Sequence, residues 1–101
     1  MHVRTPIVAG RYYPLDTAQC SAAIEECIAQ AVDPGELAVP LYGGIVPHAG
    51  WMCSGRVAAG VFRALAQQGA PPVVVLLGAV HRWPGDRAAI YRAGGWKTPL
   101  G

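Results

Sequence analysis

A chain of 101 residues with a formal net charge of +2 holds one small domain, and at 52% hydrophobic and 14% charged it is more apolar than a small domain's surface-to-volume ratio favours. Its eight Lys and Arg are scattered singly from Arg4 to Lys97, so nucleic-acid binding has little support. The longest apolar run, VVVLL at 73–77, is far too short to span a bilayer, and the three cysteines form no CxxC and follow no leader pattern, which reads as reduced thiols in a cytoplasmic protein.

In chain order, RTPIVAGRYYP at 4–14 is irregular. Pro6 and Pro14 bracket it and Gly10 interrupts it, so it should lie extended against the rest, with His2 frayed ahead of it. Asp16 then offers a helix N-cap, with Gln19 in a capping-box position. Cys20, Ile24, Cys27, Ile28 and Ala31 recur at helical spacing, with Glu25, Glu26 and Gln30 elsewhere on the wheel, and DPGE at 33–36 ends the helix after about four turns. Cys20 and Cys27 read as small buried hydrophobes on its apolar stripe.

LYGGIVP is the first strand candidate, near 42–46. After PHAGWMC, Ser54 should cap a second helix at about 55–68, with Val57, Val61, Phe62 and Leu65 on one face and Gly69 as the C′ glycine. PPVVVLLG follows, and its five consecutive aliphatics at 73–77 predict a strand near 72–78 buried on both faces. RAAIYR is a third, weaker strand. Strand, helix, strand at this spacing predicts a right-handed βαβ unit with parallel strands, an α/β fold.

On that reading His48 falls two residues past the first strand and His81 three past Gly78, at the second strand's end. Both belong to the carboxyl edge, where open α/β sheets bind ligands. Neighbouring strands are about 4.8 Å apart, so two imidazoles there can converge on one ion at about 2.0–2.1 Å each. A lone His is more often a structural residue, but two in equivalent positions favour a shared site. Two ligands are not a full set: catalytic zinc usually takes three protein ligands and non-haem iron often two His and a carboxylate. Cys53 and Asp86, each five residues beyond one His, are third candidates, although both also read as plain loop residues. Gly50 and Gly55 let the chain turn into the helix, whose first N–H groups could hold an anion near His48. Trp51, Trp83 and Trp96 either roof a pocket or pack over the sheet end. There is no GxSxG, P-loop or GxGxxG, so hydrolase and nucleotide readings lack a motif.

Four blocks, RTPIVAGRYYP at 4–14, IVPHAGWMCSG at 45–55, LLGAVHRW at 76–83 and WKTPLG at 96–101, fall in the order of a known pattern. The chain resembles the Memo-like family, whose bacterial members are called AmmeMemoRadiSam system protein B. The resemblance implies a fold similar to class III extradiol dioxygenases, an α/β sheet with a metal pocket at its edge. It implies that His48 and His81 bind iron or copper, with a Cys from the C-terminal part as third ligand, and it leaves Cys53 as this chain's own candidate. Trp51 and Ser54 would line the pocket. Trp51 and Cys53 stand where the family usually has tyrosines, and Ala79 and Val80 replace a Pro and a polar residue before the second His, removing a hydrogen bond that could orient it. Family members are much longer, so residues 1–101 are expected to be the N-terminal portion of one Memo-like domain, an incomplete sheet with little activity alone. The implied function is a metal-dependent, dioxygenase-like redox domain. The alternatives are a non-catalytic module for a peptide or small molecule, working with radical-SAM and AMMECR-type partner proteins, or an inactive fragment.

Overall fold

The computed structural model describes residues 1–82, 85, 88–92 and 94–101. Trp83 and Asp86 lie outside the described residues, as does Arg87 at the start of the third expected strand.

Helix α1 runs Thr17–Gln30. Asp16 stays in extended backbone, and its Oδ1 accepts the Gln19 N–H at 2.9 Å. One of the donors left open at the helix start is thus satisfied by the residue the sequence nominates. Ala31 leaves the helix at ψ 146°. Asp33 Oδ1 then accepts the Gly35 N–H at 3.0 Å, in a turn where Gly35 has φ +67°. The helix thus ends at Ala31, two residues before DPGE; Pro34 and Gly35 keep the chain from resuming it, because Pro34 cannot join the ladder and Gly35 takes a left-handed conformation freely.

Helix α2 runs Trp51–Ala66, about one turn earlier than the sequence expectation. Gly50, not Ser54, is the capping residue. The Trp51 N–H is taken by the Tyr12 carbonyl at 2.9 Å, so a residue 39 positions away in sequence anchors the helix start. That contact also removes one of the N–H groups expected to be free for an anion. Ser54 is buried inside the first turns, and its hydroxyl donates to the Ala49 carbonyl at 3.0 Å and the Gly50 carbonyl at 3.4 Å. At the other end Gly69 has φ +83°, the left-handed conformation of a C′ glycine.

The two helices pack through small residues. Cys20, Ala31, Ala59 and Ser54 are the buried side chains among the described residues. Gly55 lets α1 approach: a Cβ there would lie 2.5 Å from Cys27 Sγ. Arg63 reaches across to donate to the Ala31 carbonyl at 3.2 Å, and sits 3.8 Å from Asp33. That ion pair is solvent-accessible and adds little.

The residues between the helices run back along α2. Gln68 accepts the Leu41 N–H at 2.6 Å and donates to the Leu41 carbonyl at 2.8 Å. Gln67 does the same for the Leu37 N–H at 3.3 Å and the Gly35 carbonyl at 2.7 Å. Midway, Gly44 lies directly against Val61, where a Cβ would collide with its side chain.

A parallel two-stranded ladder joins β1, Val3–Arg4, to β2, Gly95–Trp96, with Val3 opposite Gly95 and Arg4 opposite Trp96. The Gly95 N–H donates to the His2 carbonyl and the Lys97 N–H to the Arg4 carbonyl, each at 2.9 Å. The backbone of His2, expected to fray, is therefore tied into the ladder. Thr17 Oγ1 donates to the Pro99 carbonyl at 2.7 Å, which brings the segment after β2 onto the start of α1. Helices and a parallel sheet make this an α/β fold. The runs at 42–46 and 72–78 flank α2 as the sequence requires, but neither carries ladder hydrogen bonds among the described residues. Their apolar pattern is that of strands, whereas a ladder also needs a neighbouring strand about 4.8 Å away to accept and donate. The radius of gyration, 15.2 Å, exceeds the roughly 13 Å of a compact chain of 100 residues, as uncovered apolar segments would make it. No helix among the described residues is long and apolar enough to cross a membrane.

Candidate functional site

His48 sits two residues ahead of Gly50, on the turn that leads into α2, and His81 follows the 73–78 run. The fold brings their rings together: the centroids are 5.4 Å apart, with the planes at 65°. Metal–nitrogen bonds of about 2.0–2.1 Å put each imidazole centroid about 3.2 Å from an ion, and a tetrahedral angle then separates the two centroids by about 5.2 Å. The observed separation is compatible with two ligands of one tetrahedral ion, and equally with an edge-on aromatic pair that holds no ion. The donor chemistry suits an ion, because imidazole serves zinc, iron and copper alike.

Both rings line a cavity of about 920 Å³. Val46, Pro47 and Ala49 come to it from the turn before α2, Ala58, Ala59 and Phe62 from α2, and Ile24 and Ile28 from α1. Trp51 and Ser54 are on its wall. Trp51 stacks on Tyr13 with centroids 5.1 Å apart and planes at 28°, which fixes the indole at the helix start. Ser54 spends its hydroxyl on the Ala49 and Gly50 carbonyls. It therefore acts on the site by holding the PHAG turn. Trp96 lines the same cavity from β2, with the Arg4 guanidinium 4.7 Å from its centroid and Tyr91 edge-on at 5.5 Å.

Cys53 is exposed and does not join the histidines: among the described residues no three His, Cys, Asp or Glu side chains are grouped to hold an ion. Asp86 lies outside the described residues. Tyr12 and Tyr13 line the cavity although sequence reasoning assigned them no role there. Their only signal was an aromatic pair ahead of Pro14 in a segment too irregular to place. Cys27, read as a core residue, is half-buried and also reaches this wall. A second groove of about 930 Å³ opens on the far side of Tyr12, Tyr13 and Trp51, bordered by Arg11, Glu26, Gln30 and Arg56. It holds neither histidine.

Residues 4–101 match the family model described as Memo-like protein. A MEMO1 family protein of Methanopyrus kandleri is 40% identical over 104 residues, covering 97% of this chain and 37% of the relative. One of Pyrobaculum aerophilum is 41% identical over 106 residues, covering 100% of this chain and 38% of the relative. A third, of Methanothermobacter thermautotrophicus, is 36% identical over 104 residues, covering 98% and 38%. The chain thus spans well under half the length of these relatives. No solved structure matches it.

Proposed function

The chain belongs to the Memo-like protein family, and from that premise we propose that it carries the two-histidine share of a metal centre serving a dioxygenase-like redox reaction. The observation that carries this reading is the 5.4 Å approach of His48 and His81, from opposite ends of α2's flanking segments, at the wall of an apolar cavity. Each would donate one neutral imidazole nitrogen. Iron or copper held there would supply one-electron chemistry and Lewis acidity toward an oxygen ligand. The third ligand, a Cys by family resemblance, falls in the length of the relatives that this chain does not span; Cys53, exposed and apart from the histidines, would have to move to take its place.

The remaining residues serve binding. Phe62, Ile24 and Ile28 give the cavity an apolar wall, although Phe62 and Ile28 are themselves open to water. The Tyr13–Trp51 stack offers a flat apolar face to a ligand, and Ser54 keeps the His48 turn in place. On this reading residues 1–101 are the N-terminal portion of one Memo-like domain, acting in the cytoplasm beside radical-SAM and AMMECR-type partners. The apolar cavity also favours a second reading, a non-catalytic module that receives a small molecule or peptide without redox chemistry.

Anaerobic titration of ferrous iron and zinc into the reduced chain separates these readings. Binding should be weak and should be largely lost in both His48→Ala and His81→Ala, while His2→Ala retains it. A loss in Cys53→Ser would assign the third ligand to this chain. Unchanged affinity in both histidine variants would remove the metal reading and leave the binding module.

A further inference from the structure

The groove of about 930 Å³ on the far side of Tyr12, Tyr13 and Trp51 differs in kind from the histidine cavity. No Lys, Arg, Asp or Glu among the described residues lines the cavity. Two guanidiniums border the groove, Arg11 from the segment before α1 and Arg56 from α2. Neither has a partner among the described residues, where Arg63 is the one arginine whose side chain donates a hydrogen bond or meets a carboxylate. Arg11 lies over the Tyr12 ring, 5.7 Å from its centroid. Stacking of this kind occupies the face of a guanidinium and leaves its N–H edge for an acceptor. Two carboxylates share the lining, but each is already engaged at α1. Asp16 Oδ1 takes the Gln19 N–H and Glu26 Oε1 the Gln30 side-chain N–H, both at 2.9 Å. The groove also has a flat wall: Tyr13 and Trp51 are stacked at 28° and both line it. Leu15 and Met52, 65% and 97% exposed, add apolar surface to it.

We propose that this groove binds a planar aromatic monocarboxylate, its carboxylate taken by Arg11 and Arg56 and its ring laid against Tyr13 and Trp51. The guanidinium fork matches a carboxylate edge through paired N–H donors, and a planar ring stacks on an aromatic wall. One negative charge suits the lining better than two, since Asp16 and Glu26 stand in it. A cation would find both carboxylates already accepting hydrogen bonds, and a neutral ring would leave both guanidiniums unused. Both arginines are exposed, so solvent screening keeps the affinity modest. The groove and the histidine cavity share one partition, made by Tyr12, Tyr13, Cys27 and Trp51. The inference stands apart from the metal reading, because neither histidine borders the groove.

The test is a titration of 1-naphthoate into the 101-residue chain at neutral pH and low salt. Naphthalenemethanol and naphthylmethylammonium serve as the neutral and cationic counterparts. N–H correlation spectra read the Trp51 indole, identified by its loss in Trp51→Phe. The expected result is saturable binding of naphthoate with a Kd below about 1 mM. Arg11→Gln and Arg56→Gln should each raise that Kd at least about fivefold while keeping the parent's helical circular dichroism. Both counterparts should bind at least about fivefold more weakly than naphthoate. His81→Ala, on the other side of the partition, should leave the naphthoate Kd unchanged. Four outcomes overturn the proposal. Absence of saturable binding removes the site. A counterpart that binds as tightly as naphthoate means that the carboxylate is not recognised. An unchanged Kd in both arginine variants places the anion elsewhere. A loss of binding in His81→Ala moves the ligand into the histidine cavity.

Discussion

Gly55 sits on the contact between α1 and α2, and replacing it with Ala sets two effects against each other. Alanine in a helix interior is worth about 0.8–1 kcal/mol over glycine. Against that, the new Cβ would stand 2.5 Å from Cys27 Sγ, and overpacking of this kind costs about 1–3 kcal/mol. The obstacle is a single side-chain atom that can swing aside, which puts the cost near the lower half of that range. Gly55→Ala should therefore destabilise the chain by a net ~0.5–1 kcal/mol. Removing the sulfur reverses the sign. In a Cys27→Ala background the nearest remaining atoms are Trp51 Cβ at 3.4 Å and the residue 27 Cβ at 3.7 Å, which are ordinary contacts. Gly55→Ala should then stabilise by about 1 kcal/mol, a coupling of roughly 1.5–2 kcal/mol between the two positions. Urea unfolding of the parent, both single variants and the double variant, followed by far-UV circular dichroism at low protein concentration, measures it. Stabilisation by Gly55→Ala in both backgrounds would refute the close approach of the helices.

Asp16→Ala should cost about 1 kcal/mol through loss of the α1 cap, read from the same unfolding curves; an unchanged midpoint would mean the cap bond to Gln19 carries no stability. Gln68→Glu should destabilise more than Gln68→Ala, because a carboxylate facing the Leu41 carbonyl repels where the amide donated; equal losses would contradict the two-bond pairing. A transition ion held by His48 and His81 should be released as pH falls, since an imidazolium has no lone pair left to donate. Equilibrium dialysis at stepped pH checks it, and retention that improves on acidification would exclude imidazole ligation.

Helix α1 was legible because its signals are local: the Asp16 cap directly before it, a 3.6-residue apolar period along it and DPGE within a few residues of its end. Helix α2 was legible in existence but not in its start. Ser54 is a good capping residue by type, yet the donor at Trp51 is satisfied by Tyr12, and no local pattern announces a partner 39 residues away. The β1–β2 ladder has two residues a side, too few to show alternation, so it left no trace in the sequence. The apolar runs at 42–46 and 72–78 were legible as composition, but strand pairing is a property of two segments together. His48 and His81 do approach each other, but the adjacent strands expected to carry them there form no ladder among the described residues, so the reason given by the sequence pattern is not the one the fold displays. Tyr12 and Tyr13 could not be placed from sequence, because the segment expected to lie extended is instead folded by local bonds such as Gly10 N–H to the Tyr13 carbonyl and Tyr12 N–H to the Val8 carbonyl, and its place beside α2 depends on the Tyr12–Trp51 bond.

The Gln68 pairing with Leu41 has a mechanical consequence for His48. Residues 41–50 form a strap lashed to α2 at both ends, by covalent continuity at Gly50 and by the amide pairing at Leu41. From residue 51 to residue 68 the helical rise is about 25 Å, and the ten Cα–Cα steps from 41 to 51 can span roughly 33–36 Å when fully extended, so the strap follows the helix without being stretched. Gly44, set against Val61, pins it midway. His48 lies between that contact and the junction with α2 at Gly50. A side chain added at position 44 would push the strap off the helix and carry the imidazole away from His81 without touching the ring.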